Sequence, residues 1–75
     1  MSGKLPVLKD REVIARLRKL GFEFYRQAKG SHEIWRHPDG RWTMVPRHAG
    51  KTISKRTMRS ILKDIGMSAE EFMAL

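Results

Sequence analysis

Seventy-five residues without a cysteine leave room for one domain and exclude disulfide staples, thiolate metal sites and a cysteine nucleophile. Sixteen Lys and Arg against eight Asp and Glu give a formal charge of +8, which attracts polyanions; nucleic acid, an acidic protein and an anionic membrane surface all satisfy it. The apolar residues fall in groups far shorter than the ~20 needed to span a membrane, and residues 1–9 hold no apolar core for a signal peptide, so the expected location is the cytoplasm.

Asp10 stands where an N-cap is expected, ahead of Val13, Ile14, Leu17 and Leu20 at helical spacing, and Gly21 supplies the stop. Arg11, Arg16, Arg18 and Lys19 fall on the polar side of this amphipathic helix. The period then changes. Residues 22–27 are aromatic-rich and alternate as a strand does, and Ala28-Lys29-Gly30-Ser31 has turn composition. A second strand over 32–37 runs into Pro38-Asp39-Gly40, and a third over 41–46 follows at once, so these two form an antiparallel hairpin. Pro46 cannot donate to a ladder and marks the end or edge of that strand.

Residues 47–53 read as a loop rich in cations. Ser54 is the expected N-cap of a helix over 55–65, with Met58, Ile61, Leu62 and Ile65 on one face and Gly66 closing it. Ser68-Ala69-Glu70-Glu71 has the form of a capping box opening a short tail helix that carries Phe72. The expected fold is therefore α+β, a single domain over 1–75 of α-β-β-β-α order plus a short C-terminal helix. Two helices pack on one face of a three-stranded antiparallel sheet, which leaves the other face free.

Histidines stand at 32, 37 and 48, at spacings that match no common metal-ligand motif, so no metal or other cofactor is expected. Ser31 and His32 are adjacent on an extended segment and point to opposite faces, which rules out a Ser–His dyad. Paired carboxylates are missing, since most acids fall on the helices. What remains is histidine in a field of cations, which suits metal-independent RNA cleavage. There the ribose 2′-OH attacks its own phosphodiester, one group removes a proton, another protonates the leaving oxygen, and cations stabilise the phosphorane. Histidine serves either proton role because its reference pKa is about 6.5. His32 is the best candidate: it follows Gly30-Ser31, where a phosphate can approach backbone N–H groups, with Lys29 before it and Arg36 on the same strand. His37 and His48 are candidates for the second proton-transfer group.

Each of these residues also has a plain structural reading. A histidine opening a strand is commonly an ordinary hydrogen-bonding residue, and cations on the first helix form a solvated face. Trp35, Trp42 and Tyr25 suit either base stacking or cross-strand packing, with packing favoured for at least one tryptophan. Ile34 and Trp35 must face opposite ways, so one of them lies on the uncovered side or under the tail helix.

Leu20-Gly21-Phe22, Lys29-Gly30-Ser31-His32, Arg36-His37-Pro38-Asp39-Gly40 and Val45-Pro46-Arg47-His48 together resemble the HicA family of toxins. In that family Gly-Phe ends the first helix, Gly-Ser-His opens a strand and Pro-x-His closes the sheet. Thr57, Ser60, Ile61, Leu62 and Gly66 fit the family's second helix, and the resemblance covers residues 9–72. It implies a double-stranded-RNA-binding-domain-like fold, cleavage of single-stranded mRNA, and neutralisation by a HicB-type antitoxin in a hetero-oligomer. The family's catalytic histidine maps onto His32. The residues expected at the RNA are Lys29, Gly30, Ser31, Arg36, Arg47, His48 and Lys51, with His48 carried over as an RNA-binding or structural residue. Two rival readings stay open: a non-catalytic RNA-binding module of the same fold, and a protein whose basic face docks an acidic partner.

Overall fold

The computed structural model describes residues 5–75; residues 1–4, part of the segment read above as too poor in apolar residues for a signal peptide, lie outside the described residues. The elements run α1 (Asp10–Leu20), β1 (Glu23–Gln27), β2 (His32–Arg36), β3 (Trp42–Pro46), α2 (Lys55–Ile65) and α3 (Ala69–Met73). The strands form one antiparallel sheet in the order β1-β2-β3. This is the expected α-β-β-β-α order with its short C-terminal helix.

Helix α1 forms because Val13, Ile14 and Leu17 recur on one face and bury there, while acids occupy its first turn and bases its last, as the helix dipole favours. Its start departs from expectation. Lys9, not Asp10, holds the N-cap position, and the Glu12 carboxylate reaches back to accept the Lys9 N–H at 2.8 Å. Asp10 is instead the first helical residue, and its buried carboxylate turns inward to Arg47. A glycine at φ 99° ends the helix: Gly21 donates to the Arg18 carbonyl, and Phe22 to that of Leu17 at 2.9 Å.

Each strand is one residue shorter than its sequence pattern, and the three residues lost meet in one corner. The Phe22 and His37 rings lie edge to face at 5.1 Å, and the Arg41 guanidinium sits 5.2 Å from the Phe22 ring. His37 donates its backbone N–H to Arg41 at 2.8 Å, closing the turn between β2 and β3. Arg41 also bonds Asp39 at 2.8 Å and the Ile65 carbonyl, so this corner caps the C-terminus of α2 as well.

Register and alternation sort the sheet into two faces. Trp35 pairs with Thr43 and Glu33 with Val45; these four point toward the helices, where Trp35 and Val45 join a core built on Val13, Leu17, Phe22, Met58, Ile61, Ile65 and Phe72. His32, Ile34 and Arg36, opposite Pro46, Met44 and Trp42, lie on the uncovered face. Ile34 answers the question its position raised: it faces outward but is 7% exposed, and it lies outside that core. Beyond β3 the chain is tied down a second time, since Ile53 donates to the Leu8 carbonyl at 2.7 Å and Thr52 bridges to Lys9. Ser54 and Ser68 cap α2 and α3 as expected, by accepting the N–H of Thr57 and Glu71.

Candidate functional site

His32 opens β2, and two backbone bonds hold the turn before it. Ala28 donates to the His32 carbonyl at 2.7 Å, and Arg47 donates to that of Ser31 at 2.9 Å. Between them Gly30 takes φ 69°, a conformation that residues with a Cβ rarely adopt, and its carbonyl accepts from the Gln27 side chain at 3.2 Å. Lys29, Gly30 and Ser31 are all exposed, so backbone and ammonium donors stand together at the mouth of the turn.

The half-buried His32 imidazole points onto the uncovered face and has no hydrogen-bond partner among the described residues. It sits between two shallow grooves. One is formed with Pro46, His48, Lys51, Ser54 and Thr57, where the cationic loop meets the start of α2. The other runs along the outer flank of α2 past Met44, Arg56 and Ser60 to Asp64, whose carboxylate accepts from the Thr43 hydroxyl at 2.9 Å. His48, Lys51 and Arg56 are exposed, so an anion approaching His32 meets cations from two elements. The first turn of α2 adds the positive end of the helix dipole.

Of the sequence candidates, the fold brings His32, His48 and Lys51 to one groove and sets Lys29, Gly30 and Ser31 on the turn leading into it. Arg36 shares the face but lies four strand residues away, about 13 Å at the usual rise. Its guanidinium is stacked over the Tyr25 ring at 3.7 Å.

Arg47 departs from its expected place beside them. Its Nε donates to Asp10 Oδ2 at 2.8 Å and its Nη1 to Glu33 Oε1 at 3.1 Å, both on the helix-covered side. Glu33 in turn accepts from the Trp35 indole at 3.0 Å. The Arg47 hydrogen bond holds the Asp10 carboxyl below its ordinary value, outweighing the burial that pushes it up, and Asp10 raises Arg47 in return. The guanidinium thus fixes the root of the loop that carries His48 and Lys51.

His37 is engaged as well. Its Nε2 donates to the Leu20 carbonyl at 3.1 Å, and its Nδ1 lies 3.0 Å from the Asp39 backbone N–H and 3.1 Å from the Asp39 carboxylate. Both ring nitrogens are thus engaged within the Phe22 corner. Among the described residues no group of three or more His, Asp or Glu side chains is placed to hold a metal ion.

Ser54, Arg56 and Thr57 were missing from the sequence candidates. Their signal was readable: α2 is capped by serine and begins Lys55-Arg56 with no acid in its first turn, whereas α1 and α3 both place acids there.

No helix among the described residues is long and apolar enough to cross a membrane. A comparison with curated proteins finds no match. The family model for the HicA toxin of bacterial toxin–antitoxin systems matches residues 11–67, which takes in all of α1 but Asp10, the whole sheet, the loop with His48 and Lys51, and α2. The chain belongs to the HicA toxin family.

Proposed function

We propose that this protein is a cytoplasmic ribonuclease toxin that cleaves mRNA without a metal ion, with His32 as a proton-transfer residue, and that a HicB-type antitoxin neutralises it in a hetero-oligomer. The observation that carries this reading is the His32 imidazole itself: half-buried, without a hydrogen-bond partner among the described residues, and set between two grooves that bring Lys51 and Arg56 to it on the face the helices leave open.

The chemistry follows from that placement. The 2′-oxygen bonds to phosphorus, the bond from phosphorus to the 5′-oxygen breaks, and the products are a 2′,3′-cyclic phosphate and a 5′-hydroxyl. His32 carries one of the two protons moved. His48 or Lys51, which share its groove, carries the other, since both ring nitrogens of His37 are already engaged. Lys29, Lys51 and Arg56 with the exposed N–H groups of the Gly30 turn stabilise the phosphorane, and Arg47 acts by positioning the loop. The need for a 2′-hydroxyl restricts cleavage to RNA. A HicB-type partner inhibits most simply by covering His32 and its cations, with acidic side chains or by bulk.

The test is incubation of a long single-stranded RNA in EDTA with the wild type and with His32→Ala, read on a gel. Cleavage that the variant loses supports the reading. Equal cleavage by both refutes the role of His32, and salt-sensitive binding without cleavage by either makes the protein an RNA-binding module.

A further inference from the structure

Away from His32, toward the far end of β2 and β3, the uncovered face holds a concavity lined by Tyr25, Arg26, Ile34, Arg36 and Trp42. Its two large aromatic rings are open to solvent: Trp42 is 55% exposed and Tyr25 48%. The contrast with Trp35 is direct. That indole is 2% exposed, packs edge to face on Phe24 at 6.0 Å, lies under Arg18 at 5.1 Å and donates to Glu33. Of the sheet's two tryptophans, Trp35 serves the fold, while Trp42 leaves a broad ring surface in water.

Its surroundings suit one kind of occupant. In the register of the sheet Trp42 stands directly opposite Arg36, whose guanidinium lies over the Tyr25 ring at 3.7 Å and is held there as a flat cation. Arg26 adds a second positive charge, Ile34 forms an apolar floor, and Glu23 is the one acid at the rim. A flat apolar ligand with an anionic connector fits this arrangement, and a nucleotide in a chain is such a ligand. The concavity is also continuous with the catalytic face, since His32, Ile34 and Arg36 alternate along one strand.

We infer that Trp42, with Arg36 and Tyr25 beside it, is a stacking seat for an unpaired RNA base, so that the substrate strand runs along β2 and β3 from this seat to His32. The inference rests on the ribonuclease reading above and adds where an unpaired base of its substrate is held. Bases inside a duplex have no free face to offer an indole, whereas every unpaired base has one, which suits a seat that accepts many sequences. The separation sets the register. Four strand residues are about 13 Å, which is about four nucleotides at the stacked rise of about 3.4 Å and fewer for an extended strand. The seated base therefore lies about two to four nucleotides from the scissile phosphate.

The test uses the full chain as wild type, Trp42→Ala and Trp42→Phe, with unchanged thermal midpoints showing that all three are folded. A fully 2′-O-methylated RNA, which lacks the nucleophilic hydroxyl, serves as probe, alone and annealed to its complement. The expected result is single-strand binding at least about five-fold weaker in Trp42→Ala, duplex binding unchanged, and most of the loss restored in Trp42→Phe. In a cleavable RNA, one abasic site walked along the strand should slow the wild type at an offset of two to four nucleotides and lose that effect in Trp42→Ala. Equal single-strand binding by wild type and Trp42→Ala, or wild-type binding to duplex as tight as to single strand, overturns the seat; a face that receives a protein instead would give the first of these. The two readings fail separately. Trp42-dependent single-strand binding without cleavage ends the ribonuclease reading and leaves the seat standing, while undiminished cleavage with unchanged site preference in Trp42→Ala does the reverse.

Discussion

The Arg47 guanidinium holds the buried carboxylate of Asp10 at 2.8 Å, joining the loop that carries His48 and Lys51 to the first turn of α1. Removing Arg47 strands a buried acid. We expect Arg47→Ala to lower stability by about 1–3 kcal/mol, a fall in thermal midpoint of about 4–8 °C per kcal/mol for a domain of this size. Cleavage should fall too, because the loop loses its anchor. Unchanged urea and thermal midpoints would remove the pair from any account of the fold.

The same pair sets an acid limit. The Asp10 carboxyl lies below its ordinary value in the folded protein, chiefly through the Arg47 hydrogen bond. Its contribution is complete above the unfolded carboxylate pKa, about 3.9, and is lost as pH falls through the lower folded value. Asp39, lowered by the backbone N–H and side chain of Arg41, acts in the same direction from an exposed site. Urea midpoints measured from pH 6 down to pH 2.5 should fall more steeply for the wild type than for Asp10→Asn. Parallel curves would assign the acid sensitivity to other groups.

Two glycines of similar backbone conformation should respond differently to alanine. A Cβ at Gly21 meets His37 Nε2 at 3.0 Å and Cδ2 at 3.3 Å, whereas one at Gly66 meets nothing within 4 Å. Gly66→Ala therefore carries only the left-handed strain, about 1–2 kcal/mol. Gly21→Ala should exceed that and also disturb the Phe22 corner. Equal losses in denaturant titrations would show that His37 yields to the methyl group freely.

The three histidines should separate by readout. His48→Ala or Lys51→Ala should slow cleavage, by about 10²–10⁴-fold for whichever carries the second proton, and leave the thermal midpoint in place. His37→Ala should lower the midpoint, since it removes the contacts to Leu20, Asp39 and Phe22, while folded molecules keep their cleavage rate. A catalytic loss at His37 without a stability loss would reverse this assignment.

Binding to single-stranded RNA should be strongly salt-dependent. If about five phosphates are contacted, log affinity falls against log salt with a slope of about −3.5, and Lys51→Ala should reduce that slope by about 0.7. A slope near zero in a filter-binding series would exclude the RNA backbone as the main ligand.

The element order was legible because each element carries its own local signal: helical spacing from Val13 to Leu17 and from Met58 to Ile65, alternation in the strands, glycine after each long helix. What escaped was decided by tertiary partners. Asp10 looks like a cap until Arg47, far along the chain, draws its carboxylate inward and Glu12 meets the cap's demand. Phe22, His37 and Arg41 continue their strand patterns, yet a shared corner removes them from the ladder. Periodicity puts Ile34 and Trp35 on opposite faces; only the packing of Phe24 and Arg18 on Trp35 says which face is which. At the site, sequence order shows His32 and its turn but not the approach of Ser54, Arg56 and Thr57, which depends on where α2 crosses β3.

The one-sided sheet has a consequence for how this protein responds to inheritance of random change. Its core lies wholly between helices and sheet, while His32, Trp42 and Arg36 occupy the opposite surface. In a library of all single substitutions scored for abundance and for harm to the host cell, lesions at Val13, Leu17, Val45 or Ile61 should deplete the protein itself. Lesions at His32 should leave it plentiful and harmless, and lesions at Trp42 plentiful and weakened. Survivors of its own toxicity would then fall into two classes, missing molecules and intact but silent ones, divided by the plane of the three strands.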